Sequence, residues 1–137
     1  MKPIEVIAPL LDTLRDSDAV TLGQAVSDCF APDAVIHLCH PLGDMTPADF
    51  FAQAYAPLLV AMPDLEFRAW VVMAGQDDDG ATWVGVGGHF TGTFVAPWLG
   101  IPPTGHFAHM RCHDFYRIEN DKIVEMQALW DIPELMM

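Results

Sequence analysis

The chain has little positive charge and no long apolar run, and each shortage excludes a class of protein. Its 137 residues include six lysines and arginines against nineteen acidic residues, which gives a net charge of −13. Because a field of that sign repels phosphate backbones and anionic lipid surfaces, we expect no nucleic-acid or membrane partner. No segment approaches the roughly 18 consecutive apolar residues that a membrane-spanning helix needs.

Cysteine is also scarce. Cys29, Cys39 and Cys112 are an odd number without a C-x-x-C motif, which indicates reduced thiols and neither a disulfide framework nor a thiolate zinc site. The N-terminal stretch turns acidic early and lacks a leader-cleavage pattern, so we expect a cytoplasmic protein. Hydrophobic residues, by contrast, make up 52% of the chain, and this length and composition predict one packed globular domain over residues 1–137.

Helices are predicted in the first half of the chain. Apolar residues at helical spacing indicate a first helix over about residues 3–15, and Thr21 with Gln24 in capping-box spacing starts a second that stops near Pro32. A short strand, DAVIHLC, follows. Thr46, Pro47 and Asp49 then form the clearest helix start, for a third helix that should end by residue 63.

Strands are predicted in the second half. Four long stretches, 65–74, 81–94, 106–118 and 122–131, are joined by short turns or a proline-glycine loop, which is typical of an antiparallel meander. Helices gathered first and strands gathered afterwards predict an α+β fold, with three N-terminal helices packed on one face of a curved antiparallel sheet and enclosing a pocket.

Asp114 stands out because it lies among apolar neighbours in a strand. Period-two alternation places it on one face with Met110, Cys112 and Tyr116, and places the histidines of that strand on the other face. A three-residue turn at 119–121 would put it opposite Met126. The same face of the last strand then carries Ala128 and Trp130. A carboxyl group walled by such residues should have a raised pKa, as a general acid or base requires.

Two alternatives to a catalytic Asp114 remain open. It could be paired with a buried donor, or the strand could slip by one residue, which would exchange its two faces.

Four stretches resemble the SnoaL-like polyketide cyclases of the nuclear transport factor 2-like superfamily. They are GHFTGTF, LGIPPTGH, DFYRIENDKIVE and LWD, and the likeness extends over about residues 10–135. The resemblance implies a cone-shaped α+β barrel open to a flat polycyclic ligand. It also implies an intramolecular aldol condensation without metal or organic cofactor, with an inward Asp as acid/base at Asp114.

The last strand is also similar to that of ketosteroid isomerase, whose protonated oxyanion-hole Asp matches Asp114. The base of that enzyme precedes a proline, where this chain has His40 before Pro41, and its first-helix tyrosine falls near Leu10. The cyclase pattern is also altered: a usual pocket histidine is displaced, leaving His37 or His40 as the nearest substitute.

The proposed catalytic set is therefore Asp114, His40 and His37. The candidate substrate-binding residues are Tyr116, Met110, Cys112, Met126, Ala128, Trp130, Trp98, Phe90 and Tyr55. Histidines spaced by three on a strand point to opposite faces, so we expect no metal site. The resemblance implies that no cofactor is needed.

The function that the resemblance and these residues together predict is a cofactor-free aldol cyclisation or related proton transfer on a flat apolar carbonyl compound. The alternatives are a non-catalytic small-molecule-binding dimeric module of the same fold, or an enzyme like ketosteroid isomerase or a dehydratase. A homodimer is expected through the outward sheet face, where Phe107, His109 and Phe115 would otherwise be exposed.

Overall fold

The computed structural model describes residues 1–16 and 18–137, and it has the predicted α+β architecture. The helices are α1 (Pro3–Arg15), α2 (Ala19–Cys29), α3 (Pro47–Phe50) with a π-helical segment (Phe51–Tyr55), and α4 (Ala56–Ala61). The strands are β1 (Phe30–His37), β2 (Asp44–Met45), β3 (Glu66–Gln76), β4 (Thr82–Thr93), β5 (Phe107–Glu119) and β6 (Lys122–Trp130). A short 3-10 helix, Ile132–Met136, follows β6. Among the described residues, no helix is both long and apolar enough to cross a bilayer.

The helix α2 begins earlier than predicted. Its N-cap is Asp18, whose side chain accepts a hydrogen bond from the Thr21 backbone N–H at 2.9 Å, so the capping box expected at Thr21 is wrong. Aspartate is an equally good cap, and the chain reaches it first. The helix ends at Cys29 because the chain turns directly into β1, and Pro32 therefore lies inside that strand.

The third predicted helix is one continuous element with a widened turn in the middle. Thr46 caps it as predicted, since its Oγ1 accepts the Asp49 N–H at 3.2 Å. The Ala56 N–H then reaches the Phe51 carbonyl, five residues back. The widening immediately precedes Pro57, whose ring would otherwise press on the carbonyl of Gln53. The helix passes through its proline in this way, and Tyr55 is the last residue of the widened segment.

The six strands form one sheet in the order β2-β1-β6-β5-β4-β3. β3 to β6 are the predicted antiparallel meander, but β1 pairs in parallel with β6. The expectation of a purely antiparallel sheet is therefore wrong at this pair. β2 and β3 are the two edges of the sheet, so the strands curve around the core without closing into the expected barrel.

The pairing of β5 with β6 differs from the predicted register. The turn is formed by two residues, Asn120 and Asp121, both at positive φ (51° and 59°), as tight hairpin turns require. A β-bulge at Val124 then adds one residue to β6, so Asp114 lies opposite Ala128 and not Met126. The total shift is two residues. Because a shift of two residues leaves each side chain on the same face, the predicted faces are correct although the predicted register is wrong.

The alternation of β5 agrees with the prediction. Its buried side chains are Ala108, Met110, Cys112, Asp114, Tyr116 and Ile118. They face the helices and the inner residues of β4 and β6, and the core lies in this concave space.

Candidate active site

Asp114 is the one charged or polar residue fully buried in the described chain, with 2% of its surface exposed. It lies between Val86 of β4 and Ala128 of β6. Its Oδ1 accepts a hydrogen bond from the indole N–H of Trp130 at 3.0 Å. Burial raises the pKa of this carboxyl to about 7, against a smaller lowering by the Trp130 hydrogen bond. The group can therefore change its protonation state near neutral pH.

Aromatic rings fill the space around Trp130. The centroid of its ring is 5.3 Å from that of Phe90, 5.9 Å from that of Tyr55 and 6.3 Å from that of Trp98. All four residues were predicted from the sequence to line the site, and the structure brings them together. Phe50, which sequence reasoning placed only on an apolar helix face, is also part of this cluster, 4.4 Å from Tyr55.

Three polar atoms in this interior have no hydrogen-bond partner among the described residues. They are the hydroxyls of Tyr55 and Tyr116 and the indole N–H of Trp98, and all three side chains are at most 1% exposed. Burial raises the pKa of both tyrosines well above the usual value, and the nearby Asp114 raises it further. Both phenols therefore stay protonated and able to donate hydrogen bonds at neutral pH.

The remaining candidate binding residues also line the inner face. Met110, Cys112 and Met126 are fully buried, while Ala128 is partly exposed beside Asp114. Burial is the main cause of a raised pKa at the Cys112 thiol, and the charge of Asp114 adds to it. This thiol is therefore a neutral wall residue and not a thiolate nucleophile.

Neither candidate histidine is brought to Asp114. Ile36 and Leu38 of the β1 region point inward, so His37 points outward, where its Nδ1 is 2.8 Å from Asp44 Oδ1 and its Nε2 is 3.6 Å from Glu125 Oε2. His40 is exposed in the turn after β1. The expectation that one of them acts beside Asp114 is not supported by this geometry.

A model of the SnoaL-like polyketide cyclase family matches residues 10–137. The chain belongs to this family. The match covers nearly the whole chain and includes all four stretches that carry the resemblance. No curated protein sequence matches this SnoaL-like chain.

Solved structures of similar fold agree with the family. IdmH, a polyketide cyclase candidate from Streptomyces antibioticus, is 21% identical with a TM-score of 0.80, over 99% of this chain and 96% of that one. AclR, a hydroxylase candidate from Streptomyces galilaeus, is 20% identical with a TM-score of 0.77, over 97% and 77%. A SnoaL-like polyketide cyclase candidate from Jannaschia sp. CCS1 is 20% identical with a TM-score of 0.77, over 99% and 96%. At these identities the likeness concerns the fold.

The phenol expected at the first helix of a ketosteroid isomerase is replaced in this SnoaL-like chain. Leu10 is fully buried on α1, and the phenols of the interior come from Tyr55 and Tyr116. The sequence held a signal for this: the chain has two tyrosines, and both lie on the apolar face of their element.

Clefts and metal-ligating groups do not coincide with Asp114. Five clefts of about 260 to 420 Å³ lie on the described surface, and Asp114 lines none of these five. In residues 1–16 and 18–137 no three histidine, cysteine or acidic side chains converge as a metal site would require.

Proposed function

We propose that this SnoaL-like protein is a cofactor-free acid–base enzyme. It transfers a proton at a carbon next to a carbonyl group in a flat, apolar compound, and intramolecular aldol cyclisation is the leading reaction of this kind. The observation that carries the proposal is a single buried carboxyl, Asp114, with a pKa of about 7. A cytoplasmic location is part of the proposal.

The chemistry needs one group that can both take and return a proton. As a carboxylate, Asp114 removes the proton from the carbon beside the carbonyl, and the resulting acid later protonates the product oxygen. A positioned base of matched pKa contributes about 10²–10⁴-fold to the rate, and orientation of the two reacting ends can contribute roughly 7–11 kcal/mol. Isomerase and dehydratase reactions use the same proton transfers and are the related alternatives.

A cleft between α2 and α3 is the proposed way in. It has a volume of about 420 Å³, and its walls include Gly23, Pro47 and Phe51. Phe30 forms part of it, and the Phe30 ring lies edge-on to Tyr116 with centroids 6.5 Å apart. The Phe30 ring therefore lies between this cleft and Tyr116, and ligand entry by this route requires that ring to move.

Proton exchange tests the proposal without knowledge of the natural substrate. In D₂O, the protein should accelerate exchange of the α-protons of 2-tetralone, followed by proton NMR. The rate should rise with pH through about 7, since the carboxylate is the base. Asp114→Asn should reduce the rate to that of buffer, whereas Asp121→Asn, in the exposed β5–β6 turn, should retain it. No acceleration by the wild-type protein would refute carbon-acid catalysis.

The second candidate is a binding protein that keeps the fold without the reaction. It is favoured because Asp114 lines none of the five clefts, so a ligand held in the cleft between α2 and α3 would not contact the carboxyl. A binder of polycyclic ketones would bind 2-tetralone, as detected by quenching of tryptophan fluorescence, without accelerating its exchange. The two measurements on one sample separate the candidates.

A further inference from the structure

We propose that the hydroxyls of Tyr55 and Tyr116 are the paired hydrogen-bond donors that hold the two carbonyl oxygens of the substrate. The substrate class is then a flat compound with two ketone groups in one molecule, one that becomes the enolate and one that it attacks. The inference rests on the proposed function and adds two catalytic residues to it.

Burial without a partner is the first observation. Both hydroxyls are inaccessible to solvent and make no hydrogen bond within the described residues. A buried donor in that condition costs stability, and native interiors contain few such groups. Three such groups lie in this interior, the third being the indole N–H of Trp98. The two hydroxyls, beside a carboxyl that has one side-chain donor, are explained if a ligand oxygen accepts from each.

The positions of the two tyrosines provide the second observation. Tyr116 is two residues from Asp114 on the inner face of β5, which separates the two side chains by about 7 Å. Tyr55 approaches from the opposite wall at the end of the π-helical segment, with its ring 5.9 Å from that of Trp130, the partner of Asp114. The acid/base and the two donors thus lie on two walls of the same packed interior.

The aldol reaction uses each group once. The Asp114 carboxylate takes a proton from the carbon beside the first carbonyl, and the enolate oxygen accepts from one phenol. The carbon–carbon bond then forms at the second carbonyl carbon, whose oxygen becomes an alkoxide held by the other phenol. That alkoxide takes the proton back from Asp114, so the product is an isomer of the substrate. Donors aimed at developing oxyanions of this kind are each worth about 10²–10³-fold in rate.

A matched pair of ligands tests the donors directly. 9-Fluorenone and fluorene have nearly the same flat shape and differ in one carbonyl oxygen. We expect the wild-type protein to prefer fluorenone at least tenfold, as measured by quenching of tryptophan fluorescence. The preference should fall in Tyr55→Phe and in Tyr116→Phe and vanish in the double variant. Phe90→Leu, which removes a ring of the same cluster but no donor, should weaken both ligands alike.

Two further readouts separate donation from a structural role. Because neither hydroxyl has a hydrogen-bond partner in residues 1–16 and 18–137, each Tyr→Phe variant should melt at the wild-type temperature or above it. The chain has two tyrosines, so a sample labelled with ¹³C at the tyrosine ring carbon that bears the hydroxyl gives two signals, assigned from the two variants. Fluorenone should shift these signals, and fluorene should leave them near their free positions.

The outcomes distinguish this inference from the proposed function. If neither compound binds the wild-type protein, the interior does not admit flat ligands and both proposals fail. If both bind but the preference for fluorenone survives in the double variant, the donor assignment is wrong while the acid–base proposal stands. A large fall in melting temperature in both variants would show that the hydroxyls are structural and would also overturn the assignment. The exchange rate of 2-tetralone should fall at least tenfold in one or both variants, with its inflection still near pH 7.

Discussion

At the scale of the residue, Asp114 is a buried carboxyl that the fold accommodates at a cost to stability. Its carboxyl is held by one side-chain hydrogen bond from Trp130, and a buried ionised carboxylate with so little compensation is unfavourable. The raised pKa of about 7 expresses that cost. A residue retained for packing alone would be better served by a neutral side chain of the same shape.

Asp114→Asn should therefore stabilise the protein at alkaline pH. The folded pKa of about 7 exceeds the unfolded value of about 4. Between these values the folded state binds more protons than the unfolded state, so this carboxyl lowers the free energy of unfolding as pH rises through that window. Above pH 8 the loss is on the order of 4 kcal/mol. Urea denaturation should find the variant close to wild type at pH 4 and clearly more stable at pH 8.

Asp64 provides a control of opposite sign. Its carboxylate accepts hydrogen bonds from the Thr93 backbone N–H at 2.7 Å and hydroxyl at 2.8 Å, which lower its pKa. Asp64→Asn should therefore destabilise the protein at pH 8, and the difference from wild type should shrink in acid. If Asp114→Asn behaved like Asp64→Asn, the buried carboxyl would not have the raised pKa on which the proposed reaction depends.

The single residues show what pattern alone can predict. Period-two alternation was enough to turn Asp114 inward, since every second residue of β5 is buried. It could not place His40, because a residue in a turn beyond the end of a strand has no alternating pattern to follow. Alternation along β1 also turns His37 outward. The sequence alone does not show this, because the face of His37 follows only once Ile36 is known to be buried.

At the scale of the element, the β5–β6 hairpin shows why a correct face can accompany a wrong register. A two-residue turn alone would have shifted β6 by one residue and turned Trp130 away from Asp114. The bulge at Val124 adds the compensating residue, so Trp130 lies on the inner face and donates to Asp114. The length of the turn and the position of the bulge both depend on local backbone conformation. The hydrophobic pattern shows only which face each residue occupies, and that face depends on the two shifts added together.

The cleft between α2 and α3 should control how fast ligands enter. A Cβ at Gly23 would lie 3.2 Å from the Phe51 ring, so Gly23→Leu should obstruct the cleft. Phe30→Leu should replace the ring that lies between the cleft and Tyr116 with a smaller side chain. We expect association of fluorenone, followed by stopped-flow tryptophan fluorescence, to slow several-fold in the first variant and to accelerate in the second.

Gly75→Leu is the matched control for the obstructed cleft. Gly75 is on β3, and nothing lies within 4 Å of a Cβ added there, so the same substitution should leave the association rate unchanged. Equal slowing by both leucine variants, or no change in either Gly23→Leu or Phe30→Leu, would place the entrance elsewhere in the molecule.

At the scale of the whole molecule, the fold and the reaction have different support. The family match covers residues 10–137 and the architecture agrees with it, whereas structures of this shape include both cyclase and hydroxylase candidates. One fold can host many reactions, so function has to be argued from the site. In this chain that argument rests on three hydroxyl or carboxyl groups and the rings around them.

The outer face of the sheet is unusually apolar for a surface that remains exposed. Its large exposed side chains are Trp70, Val71, Met73, Phe107, Phe115 and Leu129. Phe115 forms one wall of a shallow groove of about 330 Å³ that passes over Gly85 and Gly87. A ridge beside a groove on one face can pair with the same face of a second copy about a twofold axis. We therefore propose that the protein forms a homodimer through this face.

Salt and a single added charge should reveal that dimer. Each protomer carries a net charge of −13, so two copies repel. The dissociation constant of the dimer should therefore fall as added salt screens the repulsion. Phe115→Glu buries a like-charge pair at the interface, which costs several kcal/mol, and should give monomers by multi-angle light scattering in both low and high salt. Val20→Glu adds the same charge on α2, at an exposed site away from the sheet, and should remain dimeric. A wild-type protein that stays monomeric at high salt and high concentration would contradict the proposal.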